Sequence, residues 1–239
     1  MAWRRGRRHH DEVGQPADAT GDNPLLLWSL RHPEPTPAEV EAITAQYAFA
    51  IPTDRALAAI VQHSPHGVVE IGAGTGYWAS LVHDLGVPTV AYDPAPPMSP
   101  DNKWFHSSSA WFDVQQGDET VVALHSDRTL LIVWPTRDQT WAGDALHHFH
   151  TAGGRTVIYV GEGPGGRTGD ARFHALLGAS DHCVACTYGA HDLACVCGTQ
   201  ALWRQVQHIA LPHWPGHHDD LLVYSRRDVP GAPLAPRRS

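Results

Sequence analysis

The stretch Val68-Val-Glu-Ile-Gly-Ala-Gly-Thr-Gly-Tyr-Trp78 decides how this 239-residue chain folds. A short apolar run carries an acid, Glu70, and passes at once into glycines at every second position, Gly72, Gly74 and Gly76. Glycine turns the backbone through positive φ and lets a ligand come close where a Cβ would otherwise stand. The following run, Tyr77–Leu85, reads as a helix, so the segment is strand, tight turn and helix, the place where open α/β sheets bind nucleotide cofactors. The spacing narrows the choice. A dinucleotide turn has the form G-x-G-x-x-G and seats a pyrophosphate on the helix N-terminus. Here the third glycine comes one residue early and the acid lies inside the motif. A glycine-rich turn that binds nothing is the plainer reading of the same residues.

The form E-x-G-x-G-x-G resembles the first motif of class I S-adenosylmethionine-dependent methyltransferases. That resemblance implies a loop, Gly72-Ala73-Gly74-Thr75-Gly76, packed against a cofactor without phosphate, with Tyr77 and Trp78 beside it and Glu70 reaching the cofactor's amino-acid end. Thr89–Asp93 is a second short strand ending in an acid, one helix and one turn further on. An aspartate there can accept both ribose hydroxyls, and a similar one serves nicotinamide enzymes, so Asp93 speaks for an adenosine cofactor rather than for one cofactor. Phe112–Asp118 resembles the family's third motif, in which the residues after strand three, here Gly117 and Asp118, meet the adenine. Asp118 also suits the N-cap of a helix over Glu119–Leu124.

Thr129–Trp134 and Thr156–Val160 are unbroken β-rich runs of the kind buried on both faces of a sheet. Strands alternating with helices pair in parallel through right-handed crossovers. The runs Val206–Leu211 and Leu221–Tyr224 are joined by a connection too short for a helical crossover and therefore form an antiparallel hairpin. The predicted fold is α/β, a doubly wound, mostly parallel seven-stranded sheet with a C-terminal antiparallel hairpin and an N-terminal helical extension. The methyltransferase resemblance covers roughly residues 45–228. We expect tails at 1–22 and 231–239 around a single domain at 23–230, with an extension at 23–64, a Rossmann-like core at 66–228 and a cysteine-rich loop at 180–200. Asn23–His32, Thr36–Tyr47 and Thr53–His63 read as the helices of the extension. In class I methyltransferases such an extension packs over the cofactor and substrate end of the sheet. Tyr47 and Phe49 are accordingly candidates for a lid, or else plain core aromatics, and Tyr47 and Trp134, the latter after strand four at the same end of the sheet, are expected among the cofactor contacts.

A net charge of −8 speaks against a broad phosphate-binding surface and hence against a nucleic-acid substrate. The arginines near the N-terminus, Arg4 to Arg8, suit a solvated arm better than a nucleic-acid contact. No apolar run approaches the ~20 residues of a membrane span, and no signal-peptide core precedes the domain, so the expectation is a cytoplasmic protein with no membrane partner. After strand four, where amino-group methyltransferases of nucleic acids carry Asp/Asn-Pro-Pro-aromatic, this chain reads Trp134-Pro-Thr-Arg137, with no acid or amide for an exocyclic amine. The expected acceptor is therefore a small molecule.

Glu162, after strand five, is a candidate substrate contact or base, or else a helix-capping or turn residue. His218, in the hairpin turn, is a candidate general base or a solvated histidine. The four cysteines, Cys183, Cys186, Cys195 and Cys197, fall in one short stretch as C-x-x-C and C-x-C. In a cytoplasmic chain such clustering suits a closed structural zinc site, with a disulfide or free thiols as alternatives. The leading expectation is S-adenosylmethionine-dependent methyl transfer, with structural zinc. The other classes are a nicotinamide-dependent oxidoreductase and a zinc-stabilised binding protein on the same fold.

Overall fold

A computed structural model describes residues 23–178 and 201–227. Three helices open it: α1 (Pro24–Arg31), α2 (Pro37–Gln46) and α3 (Asp54–His63). Each starts at a side-chain cap. Asn23 accepts from the Leu26 amide, Thr36 and Glu39 form a capping box, and Thr53 accepts from the Ala56 amide. Pro24 and Pro37 sit in the first turn, where a missing N–H costs nothing.

The core follows as β1 (Val68–Ile71), α4 (Tyr77–Asp84), β2 (Thr89–Asp93), β3 (Val114–Gln116), a 3₁₀ segment (Glu119–His125), β4 (Thr129–Val133), α5 (Trp141–Thr151), β5 (Thr156–Gly161), α6 (Ala171–Leu176), β6 (Trp203–Ala210) and β7 (Asp220–Arg226). The seven strands form one sheet in the order β3-β2-β1-β4-β5-β7-β6. β1 to β5 are parallel, whereas β7 runs antiparallel to both β5 and β6. This is a Rossmann-like, mostly parallel sheet closed by an antiparallel pair, as the alternating strands and helices and the terminal hairpin implied. Alternate residues of the central strands face opposite layers. Val68, Leu131, Val133, Ile158 and Val160 pack with the N-terminal helices and α4. Val69, Ile71, Leu130, Ile132, Val157 and Tyr159 pack with α5 and α6.

Two elements depart from expectation. The segment expected as a helix over Glu119–Leu124 is a 3₁₀ turn that starts at Asp118, whose carboxylate accepts from the Thr120 amide at 3.0 Å. Thr120, Val121 and Val122 are consecutive β-branched residues, which crowd a regular α-helix. The hairpin's first strand begins at Trp203, earlier than expected. A register irregularity between Gln205 and Gln207 interrupts the alternation and leaves Val206 exposed, hiding the strand's start in the sequence. No helix among the described residues is long and apolar enough to cross a membrane.

Candidate active site

The carboxyl ends of β1, β2 and β4 open into a cleft of about 540 Å³, within the ~300–1,000 Å³ of small-ligand sites. Of the sequence-predicted residues, Tyr47, Glu70, Gly72, Ala73, Gly74, Tyr77, Trp78, Asp93, Asp118 and Trp134 line it. Gly76 and Gly117 do not. Gly76 faces Phe112 and Val114, and Gly117 faces Tyr92 and Val121.

The loop after β1 is fastened to the end of β2. Asp93 accepts from the Gly74 amide at 3.0 Å through Oδ2 and from the Ala95 amide at 2.9 Å through Oδ1. Each carboxylate oxygen keeps a further lone pair for a ligand hydroxyl. Burial pushes the Asp93 carboxyl above its ordinary range, and the two amides oppose that rise. Gly74 has φ +55°, and a Cβ there would stand 2.6 Å from the Phe105 ring. Gly72, at φ +67°, stands in the same relation to Trp141. The glycines thus admit two aromatic rings to the walls of the cleft, flat apolar surfaces suited to a purine.

Glu70 is 1% exposed, and its Oε2 has no hydrogen-bond partner among the described residues. Burial pushes its carboxyl up to about 8, with the Ala79 amide opposing and Asp93 adding to the rise. A buried, unpartnered carboxylate oxygen is costly unless something completes it. An ammonium group would do so.

The segment 45–50 forms one wall, and its carbonyls are taken in sequence by distant side chains. Ser108 Oγ donates to Ala45 O at 2.6 Å, Trp111 Nε1 to Gln46 O at 2.7 Å and Thr75 Oγ1 to Tyr47 O. Trp214 Nε1 donates to Phe49 O at 2.7 Å and Trp78 Nε1 to Ala50 O at 3.3 Å. Tyr47 is buried, stacked on Trp111 and edge-on to Tyr77. It lines the cleft and belongs to the core at once. Phe49 stacks on Trp134 with ring centroids 4.8 Å apart. Trp134 itself has φ +51°, unusual for a bulky side chain. Its indole N–H donates to Asp219 at 2.7 Å, which helps hold the strained residue in place. Asp219 is pushed up to about 6 by burial, with the Trp134 indole opposing.

Glu162 and His218 stand beside the cleft rather than on its wall. Glu162 Oε2 accepts from the Arg167 amide at 2.7 Å and Oε1 from the His218 amide at 3.1 Å, so the carboxylate ties the loop after β5 to the hairpin connection. The neighbouring His217 touches two residues of the wall without lining the cleft itself. Its ring stacks on Trp134, and its Nε2 accepts from Arg167 Nη1 at 2.9 Å. Burial, aided by Arg167, lowers its pKa, consistent with a neutral acceptor ring.

The sequence reading missed Asn102, Phe105, Trp141 and Arg167. Asn102 is buried and knots the loop after β2: its Oδ1 accepts from the Trp104 and Phe105 amides at 2.9 and 2.7 Å, and its Nδ2 donates to Ala95 O. The only signal was the turn-rich run Pro94–Asn102, which marks a loop but not its path. Among the described residues no group of His, Cys, Asp and Glu converges to hold a metal ion. Cys183, Cys186, Cys195 and Cys197 lie outside the described residues.

No family model and no curated protein sequence matches the chain. Solved structures resemble it at low identity. Magnesium protoporphyrin IX methyltransferase from Synechocystis PCC 6803 with bound SAM is 10% identical over 84% of this chain and 89% of that one, with a TM-score of 0.44. A protein of echinomycin biosynthesis is 16% identical over 84% and 91%, with a TM-score of 0.39. A 16S rRNA (adenine(1408)-N(1))-methyltransferase from Catenulisporales acidiphilia is 12% identical over 74% and 93%, with a TM-score of 0.38. At such identities and scores the likeness is one of chain path.

Proposed function

We propose that this chain is an S-adenosylmethionine-dependent methyltransferase acting on a small molecule. The observation that carries the reading is the pair of acids at the ends of β1 and β2. Asp93 clasps the glycine loop while keeping lone pairs for a ribose, and Glu70 presents a buried, unpartnered oxygen that suits the cofactor's ammonium group. The residues fit that cofactor: acids for its two polar ends, and the rings of Phe105 and Trp141 as flat walls for its base.

When bound, the cofactor supplies a methyl group activated by a sulfonium. The chain's own contribution is alignment, which in a well-oriented site is worth ~10⁵ M or more in effective concentration. The fixed wall at 45–50, the Asn102 knot and the Trp134–Asp219 bond make that alignment rigid. In this reading Glu162 and His218 position the hairpin connection, and neither acts as a base. The small-molecule acceptor is favoured by the net charge of −8 and by a cleft walled with aromatic rings rather than framed by a broad basic surface.

Calorimetry tests the proposal. S-adenosylhomocysteine should bind at micromolar strength and NAD should not. Asp93→Ala, which removes charge-assisted bonds worth about 1.5–3 kcal/mol, and Gly74→Arg, which drives a side chain into Phe105, should each weaken binding at least tenfold. Tight NAD binding, or unchanged affinity in both variants, would overturn the reading.

A further inference from the structure

Resting on the methyltransferase reading of the cofactor half of the cleft, we propose that the acceptor is a flat aromatic small molecule carrying a carboxylate or comparable negative charge. The cofactor half and the remainder of the cleft differ in chemistry. Glu70, Asp93 and Asp118 mark the first. The remainder is walled by Phe49, Trp104 and Trp134, with Phe105, which also borders the Gly74 loop, at the boundary between the two. Phe49 stacks on Trp134, Trp104 meets Phe49 edge-on at 6.0 Å, and Phe105 lies 5.9 Å from Phe49. Trp104 remains half-exposed, leaving aromatic surface for a ligand. Such rings recognise another π-system by stacking and edge contacts in addition to the area they bury.

Charge supplies the second half of the inference. The chain is net negative, yet three cations, Lys103, Arg137 and Arg167, line this cleft. Lys103 is the chain's only lysine, and its Nζ lies 4.8 Å from the centroid of the Trp104 ring. Asp101 lies two residues before it on the same loop. Arg137 is paired with its exposed neighbour Asp138 at 3.4 Å. Arg167 makes no ion pair among the described residues. Its head is held by His217, the residue whose ring also packs on Trp134. A guanidinium beside an aromatic wall is suited to a carboxylate on a flat ring, because its planar fork can donate two parallel bonds while the ring lies against the aromatic surface.

The test uses the full chain saturated with S-adenosylhomocysteine and three probes measured by calorimetry: 2-naphthoate, (2-naphthyl)methylamine and cyclohexanecarboxylate. Naphthoate should bind at least tenfold more tightly than either of the others. Arg167→Met, or Arg167→Gln if the first variant no longer holds S-adenosylhomocysteine, should abolish the preference for naphthoate over the amine while leaving S-adenosylhomocysteine affinity within about twofold. Equal binding of naphthoate and amine, absence of naphthoate binding to the loaded protein, or a preference that survives in an Arg167 variant still holding S-adenosylhomocysteine would overturn the inference and leave the methyltransferase reading standing. If S-adenosylhomocysteine itself fails to bind the wild-type chain, that reading falls, and the same comparison on ligand-free protein still decides whether the cleft prefers an aromatic anion.

Discussion

Replacing Glu70 by glutamine should change how stability depends on pH in the ligand-free protein. Glu70 is 1% exposed, and burial, reinforced by Asp93, raises its carboxyl from 4.5 to about 8. A carboxyl raised in the folded state keeps its proton there after the unfolded chain has lost it. The stabilisation associated with that proton is complete below about 4.5 and drains away as pH rises to about 8. Each pH unit inside the window is worth ~1.4 kcal/mol, so the total loss is roughly 4–5 kcal/mol. Glutamine cannot ionise, and groups elsewhere that titrate alike in both proteins cancel in the comparison. Urea unfolding of wild type and Glu70→Gln at intervals from about pH 5 to about pH 8 measures the difference. The variant should gain on wild type steadily with pH, whatever constant offset its amide introduces. A difference that stays flat across the window would show that Glu70 is solvated or already ionised, and the case for an unsatisfied oxygen awaiting a cationic ligand would collapse.

Asn102→Ala removes one donor and two accepted bonds from the knot after β2 and should cost about 2–4 kcal/mol in chemical unfolding. It should also weaken S-adenosylhomocysteine binding, because Phe105 is anchored through that knot. Retention of both properties would show that the loop holds its path without Asn102. The cysteine stretch yields a prediction from sequence alone: elemental analysis should find about one zinc per chain, and Cys195→Ser should lower stability without lowering turnover per folded molecule. Metal-free protein with four titratable thiols would remove the zinc proposal.

What the sequence disclosed was the periodic and the local. The glycine spacing, the acids Glu70 and Asp93, and the contrast between unbroken apolar runs and the final hairpin placed the sheet and one end of its cleft. The helix starts at Asn23, Thr36 and Thr53 were legible because capping is chemistry within one turn. What stayed hidden was long in range. The bonds that fix the 45–50 wall reach it from Thr75, Trp78, Ser108, Trp111 and Trp214, and no local pattern reports such pairings. Strand β3 is only three residues long and barely buried, so its hydrophobic signal is weak. His218 was singled out from a pair of adjacent histidines. Which of the two faces Trp134 depends on the turn of one loop, and the structure gives that place to His217.

The position of β7 bears on the order in which the molecule can be built. It lies between β5 and β6 and pairs with both, although β5 precedes it by about 60 residues. Until Asp220–Arg226 has left the ribosome, one edge of β5 has no partner, and the apolar residues Val157 to Val160 border an open ladder. Trp214 and Asp219, which hold the Phe49 wall and the Trp134 indole, emerge in the same late interval. A nascent chain that stops short of β7 therefore has the glycine turn and its two acids but lacks the struts of the opposite wall, and its β5 edge stays open to pairing with other chains until the last strand arrives.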